Sequence, residues 1–161
     1  MTIKDLQTQV GLLQQILNFM HQLIQTRNTQ VYNEAVKWLG ADASPSDLAD
    51  DVVGCAESVT TILARLNAMP VILGTSSLLS YASTSGKFRR VASPVAGNIV
   101  IYATGTGNGS ILGHTGIVGK NNIVMTNDSY TGKWSANYTV DSMFKRYNGI
   151  GGMHPHYFEV I

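Results

Sequence analysis

The sequence predicts an α+β fold, with N-terminal helices followed by an antiparallel sheet, and three observations carry the prediction. Apolar residues fall at alternating steps of three and four through the first part of the chain. A second helical spacing opens at Cys55. After Pro94 the texture changes to short β-branched runs separated by Gly and Asn turns, as in a sheet of short strands.

The first helix is read from Ile3, Leu6, Val10, Leu13, Leu17, Met20 and Ile24, the spacing of a coiled-coil seam sustained over about three heptads. The residues around that seam are mostly amides, among them Gln7, Gln9, Gln14, Gln15, Asn18, Gln22 and Gln25, instead of the Glu/Lys pairs that choose partners. The pattern resumes weakly at Val31, Ala35 and Trp38, and Gly40 is a natural stop. Residues 1–40 are therefore read as a helical segment and residues 41–161 as the domain that follows. The seam is buried either on that domain or against another copy of the chain, so a homo-oligomer through this helix is one expectation. Ala41 to Gly54 reads as a linker with a short helix opened by Ser44-Pro45.

From Cys55, the residues Val59, Ile62, Leu63 and Leu66 keep helical spacing until Met69-Pro70 closes the segment. Leu73 to Tyr81 predicts another short helix. Strands are expected over Asn98 to Ala103, Gly113 to Val118, Ile123 to Asn127 and Tyr157 to Ile161.

Composition narrows the function classes. Hydrophobic residues are 44% of the 161 and charged ones 13%, against roughly 25% charged in ordinary domains, which excludes disorder for most of the chain. Eleven basic against ten acidic residues give a net +1, no footprint for nucleic acid or anionic lipid. No stretch approaches the ~20 apolar residues of a membrane span. The opening residues lack the basic region and unbroken apolar core of a signal peptide, so synthesis in the cytoplasm is expected, with no exit route visible in the sequence. A single cysteine excludes an intramolecular disulfide, a CxxC pair and a multi-cysteine zinc site.

Cys55 at a helix start is where the macrodipole and unpaired N–H groups favour a thiolate and can hold an oxyanion, and Gly54 leaves room for a substrate backbone. His114 lies in a glycine-flanked strand, Gly113 to Gly119, with space beside the imidazole. Hairpin arithmetic supplies a third member. A tight turn through Lys120-Asn121 sets Val118 opposite Ile123 and His114 opposite Asn127, whose carboxamide would orient the ring. A loop shifted by one residue selects Ser129 instead, and Asp128 reaches His114 only through an odd-length loop or a bulge. Asn127 therefore ranks above Asp128.

Gly54-Cys55-Ala56-Glu57-Ser58-Val59 opening a helix, Pro94 to Ile101 as a strand, Gly113 to Val118 as the next and Met125 to Ser129 after it resemble the cell-wall cysteine peptidases of the CHAP and NlpC type. The resemblance spans roughly residues 45 to 161. It implies a papain-like fold and a peptidoglycan amidase or endopeptidase, often phage-encoded, acting at the bacterial cell wall. It further implies Cys55 as nucleophile, His114 as base, a polar third residue at Asn127, and no cofactor or metal. NlpC-type enzymes place Asp before the cysteine and Ser after it, whereas Gly54 and Ala56 stand here, so their recognition of a free peptide amino terminus does not carry over.

Other features point less sharply. Gly113 and Trp134 are expected to border the substrate groove, with Tyr130 and Tyr138 as further aromatic candidates, and core or rim packing is the competing reading for all three aromatics. Gly105 to Ser110 lacks the Lys of a phosphate loop and reads as a loop at the rim of the cleft. His154 and His156, with His21 or His114, have no neighbouring acidic cluster to complete a metal site. Two competing readings stand beside the hydrolase: a papain-like deamidase or acyltransferase toxin acting on protein, and a catalytically silent coiled-coil binding module.

Overall fold

A computed structural model describes residues 3–44, 54–109 and 112–161, with the side chains of 23–26 set aside. Three helices come first: α1 (Ile3–Lys37), α2 (Cys55–Ala64) and α3 (Thr75–Thr84). Six strands and a short helix follow: β1 (Phe88–Val91), β2 (Ile99–Tyr102), β3 (His114–Val118), β4 (Ile123–Asp128), β5 (Lys133–Thr139), α4 (Val140–Phe144) and β6 (His156–Val160). The strands form one sheet in the order β1-β6-β2-β3-β4-β5, and every neighbouring pair is antiparallel. The α+β class is as expected. The short helix at Ser44-Pro45 falls outside the described residues, as do Ser110 and Ile111 of the glycine-rich loop.

The sheet is covered on both faces. On one, Ile99, Ile101, Ile117, Met125 and Phe158 pack against Val59, Ile62 and Leu63 of α2 and against Val31 and Ala35 of α1. On the other, Val100, Tyr102, Val118 and Val124 pack against Met143 of α4, Tyr147 and Met153. This two-sided cover is why Ile99–Tyr102 is an unbroken apolar run with every side chain buried.

Helix α2 ends where Asn67 turns left-handed and Ala68 N–H reaches back to the Leu63 carbonyl, just before Pro70. Thr60, buried in the same helix, accepts from the Ile72 N–H at 2.9 Å and so fastens the segment that leads to α3.

Helix α1 behaves as two halves of one element. Its last turns belong to the core, with Val31 and Ala35 fully buried. Its first turns do not: Ile3, Leu6, Val10, Leu12, Leu13, Ile16, Leu17, Phe19 and Met20 are all exposed. The packing boundary therefore runs through α1 and not at Gly40. Among the described residues no helix is long and apolar enough to cross a membrane.

Three elements, β1, β5 and α4, were not anticipated by the sequence pattern. Trp134 was expected at the groove and is instead fully buried in the core, its indole N–H donating to the Ala35 carbonyl at 3.0 Å. The partner that fixes it is α1, so it anchors that helix to β5.

Gly97 marks the other seat of α1. It has φ of +91°, and a Cβ there would lie 2.0 Å from the Asn28 carbonyl oxygen. Gly97→Ala is therefore expected to destabilise the fold by about 2 kcal/mol or more, since both the backbone conformation and the close approach forbid a side chain. Urea denaturation should show a lower midpoint with an unchanged slope.

Candidate active site

A cavity of about 470 Å³ brings Cys55, His114 and Asn127 together with Gly113, Tyr138, Arg146 and Tyr147. It opens where the first turn of α2 meets the beginning of β3. Cys55 is the first residue of its helix, so its own N–H and that of Ala56 are free of intrahelical partners and lean on the sulfur. The backbone of Thr115 does the same from β3. These contacts favour the thiolate, as the sequence led one to expect, but burial works against it and wins. The Cys55 thiol is pushed up to about 11 by its removal from water.

His114 reaches the cavity by a different route. Ile117 packs in the cluster that contains α2, so alternation along β3 sets Thr115 on the same face and turns His114 toward the opposite side of the sheet. There its ring stacks on Tyr147, with centroids 5.2 Å apart and planes 18° apart, and meets the Tyr138 ring edge-on at 5.8 Å. Burial, and then the nearby Arg146 guanidinium, lower its pKa to about 4. Its Nε2 is buried and has no hydrogen-bond partner. Imidazole and thiol thus share one cavity, both neutral, with no hydrogen bond between them.

Asn127 also differs from the expected arrangement. The loop between β3 and β4 holds three residues, Lys120–Asn122, with Asn121 and Asn122 both left-handed, and Gly119 N–H donates to the Ile123 carbonyl at 2.7 Å. Val118 consequently pairs with Val124, and Ile117 with Met125, one residue away from the expected register. Counting on in that register sets Thr115, not His114, opposite Asn127. The carboxamide therefore lies on the cysteine side of the sheet, where its Nδ2 comes within 3.2 Å of a Cβ built on Gly54. Asp128, which the count sets opposite His114, is occupied locally: its carboxylate accepts from the Tyr130 N–H at 2.8 Å, closing the turn into β5.

Two further expectations are corrected by packing. Gly54 is buried and leaves no space for a substrate backbone, because Ser44 Oγ would stand 2.7 Å from any Cβ there. Gly113 does line the cavity, yet its smallness answers to the fold, since a Cβ would lie 2.3 Å from the Tyr102 carbonyl oxygen. Tyr130 is almost fully exposed. No group of three or more His, Cys, Asp or Glu side chains suited to a metal ion occurs among the described residues, and His154 approaches Asn148 instead.

The sequence reading missed Asn137, Arg146 and Tyr147. Asn137 is delivered by a bulge in β5: between Val124↔Tyr138 and Thr126↔Ser135 the strand carries one extra residue. Arg146 and Tyr147 sit in a wide π-helical turn, Lys145–Ile150, too short for any periodic signal. No protein-family model matches the chain, and no curated protein matches its sequence.

Two measurements follow from the neutral pair. Cys55 in the free protein should react with iodoacetamide more slowly than a free thiol at pH 7 to 8, with a rate that climbs as pH approaches about 11. His114 should act on stability in the acid range. Its folded value lies below the ordinary one, so between pH ~6.5 and ~4 the unfolded chain takes up a proton that the folded chain refuses. The melting temperature should fall as pH drops through that window, and His114→Gln should flatten the fall.

Proposed function

We propose that the chain is a cysteine amidohydrolase on a papain-like scaffold that cleaves amide bonds of peptidoglycan at the bacterial cell wall. The observation that carries this reading is the buried, unpartnered Nε2 of His114 in a cavity shared with a thiol at a helix N-terminus. A buried polar atom without a partner is costly, and a proton-transfer role accounts for keeping it. The order of Cys55, His114 and Asn127 in helix, strand and next strand supports the same assignment, as does the resemblance of their flanking segments to the CHAP and NlpC type.

In this reaction the Cys55 proton passes to His114 Nε2 and the sulfur attacks the amide carbonyl carbon. His114 Nε2 has no hydrogen-bond partner in the free protein, and its contact with the thiol tightens in the substrate complex. Negative charge on the carbonyl oxygen faces the free N–H groups at the start of α2. Collapse breaks the C–N bond, the imidazolium returns its proton to the departing amine, and a thioester remains. Water, deprotonated by the same imidazole, then releases the carboxylic acid and restores the thiol. Asn127 acts from the cysteine side, steadying the entrance to α2.

The exposed half of α1 adds a partner. Nine large apolar side chains stand open to solvent, an area on the order of the ~800 Å² per partner of a standard interface. Only Lys4 and Asp5 carry charge between Ile3 and Met20, so no electrostatic pattern discriminates against an identical helix. A second copy of the chain is the occupant.

Purified peptidoglycan incubated with the protein should gain free amino groups and no reducing sugar ends, because glycoside cleavage calls for a carboxylate pair and the described residues that line the cavity include none. Cys55→Ala should abolish the release while leaving the melting temperature nearly unchanged. Reducing ends without amines would overturn the assignment, and cleavage or deamidation of a protein in place of peptidoglycan would move it to the toxin reading. For α1, the paired substitution Leu13→Glu and Leu17→Glu should convert an oligomer to a monomer by light scattering. Truncation at residue 41 is no test, since it would remove Val31 and Ala35 from the core.

A further inference from the structure

We propose that the mouth of the cavity is a carboxylate subsite built on Arg146, and that the substrate is an acidic peptide held there by a carboxylate beside the His114–Tyr147 stack. The chemistry that follows docking rests on the amidohydrolase reading; the docking itself does not.

Among the described residues that line the cavity, Arg146 alone bears a full charge, and none is acidic. Among the described residues no ion pair joins Arg146 to a carboxylate, and its side-chain partner is the Tyr147 hydroxyl. It lies 5.7 Å from the centroid of the Tyr147 ring, the same ring on which His114 stacks. A guanidinium so placed presents a planar fork of donors that matches a carboxylate with two parallel hydrogen bonds.

Its neighbours are donors as well. Asn137 gives its carbonyl oxygen to the Thr126 hydroxyl at 2.7 Å, so its NH₂ is the end left to a ligand. The hydroxyls of Tyr138 and Ser129 line the same opening. A cluster of donors around one cation, with no acidic side chain among the described lining residues, selects a negatively charged group.

The backbone fixes this arrangement. The π-helical turn closes through Gly151 N–H to the Arg146 carbonyl at 3.2 Å and Met153 N–H to the Tyr147 carbonyl at 2.9 Å. Asn148 Nδ2 ties the same turn to the Met153 carbonyl at 3.0 Å. One wide turn thereby buries Tyr147 against Tyr102 and Met143 on its face of the sheet and leaves its neighbour Arg146 at the rim. Wide turns of this kind are concentrated at functional sites.

Docking also bears on the base. Arg146 is the charge that, after burial, holds His114 neutral. A carboxylate bound to Arg146 cancels that charge and makes the imidazole a better proton acceptor in the complex than in the free protein.

The test uses two N-acetylated stem peptides of peptidoglycan type that differ only in having free carboxylates or carboxamides. The full chain should prefer the acid by about tenfold in kcat/KM, chiefly through KM. Arg146→Gln should bring the ratio close to one, and Arg146→Lys should keep part of it. Binding of both peptides to the Cys55→Ala chain, followed by NMR titration, reads the subsite without turnover and should give a similar preference, lost when Arg146→Gln is added. Equal binding of acid and amide, or a preference that survives Arg146→Gln, would overturn the subsite even if hydrolysis proceeds. A preference in binding with no Cys55-dependent hydrolysis of either peptide would retain the subsite and remove the hydrolase.

Discussion

The contact on which the rest of the site depends is the one between the free end of α2 and the first residues of β3. The sulfur of Cys55 meets the backbone of Thr115, and that contact sets everything next to it. Because side chains alternate along a strand, fixing Thr115 against the helix commits His114 to the other face, among Tyr138 and Tyr147. Because both faces of the sheet are covered, thiol and imidazole are each withdrawn from water, and desolvation keeps both uncharged. The resting site is quiet for a physical reason: the same burial that builds it suppresses its ionisation.

The turn between β3 and β4 shows how a small choice of backbone relocates chemistry. An even loop would have placed Asn127 across from His114. Three residues with two consecutive left-handed asparagines place it on the cysteine side instead. Lys120-Asn121-Asn122 allows either solution, since Asn tolerates the left-handed region and Val124 and Met125, successive residues on opposite faces, are both buried on a sheet covered twice. Register is specified by burial only where one face is wet. In this sheet the loop decides.

That reasoning also explains what was legible. Helices α2 and α3 and the strands β2, β3, β4 and β6 announce themselves by long apolar runs or clear spacing, and Cys55 and His114 could be singled out because one opens such a helix and the other lies in a glycine-flanked strand. Strand β1, Phe88–Val91, carries two arginines and pairs with a strand nearly seventy residues later, so nothing local identifies it. Strand β5 has a single fully buried residue, Trp134, in an otherwise mostly exposed or half-buried run, and is irregular through its bulge. Trp134 looked like a groove aromatic because sequence cannot show that α1 returns to cover it. Arg146 and Tyr147 were invisible for a similar reason, since a π-helical turn has no period to detect.

One consequence remains in the continuity of α1. Its exposed first half and its buried last turns are a single helix, and Val31, Ala35 and the close approach at Gly97 make those last turns part of the core. Helix ends fray, and fraying at one end propagates toward the other because each turn is held by the next. Whatever covers the apolar flank of the first half therefore reinforces the roof over the sheet by linkage. Where that cover is a second copy of the chain, as proposed, the resistance of the domain to unfolding becomes a function of protein concentration.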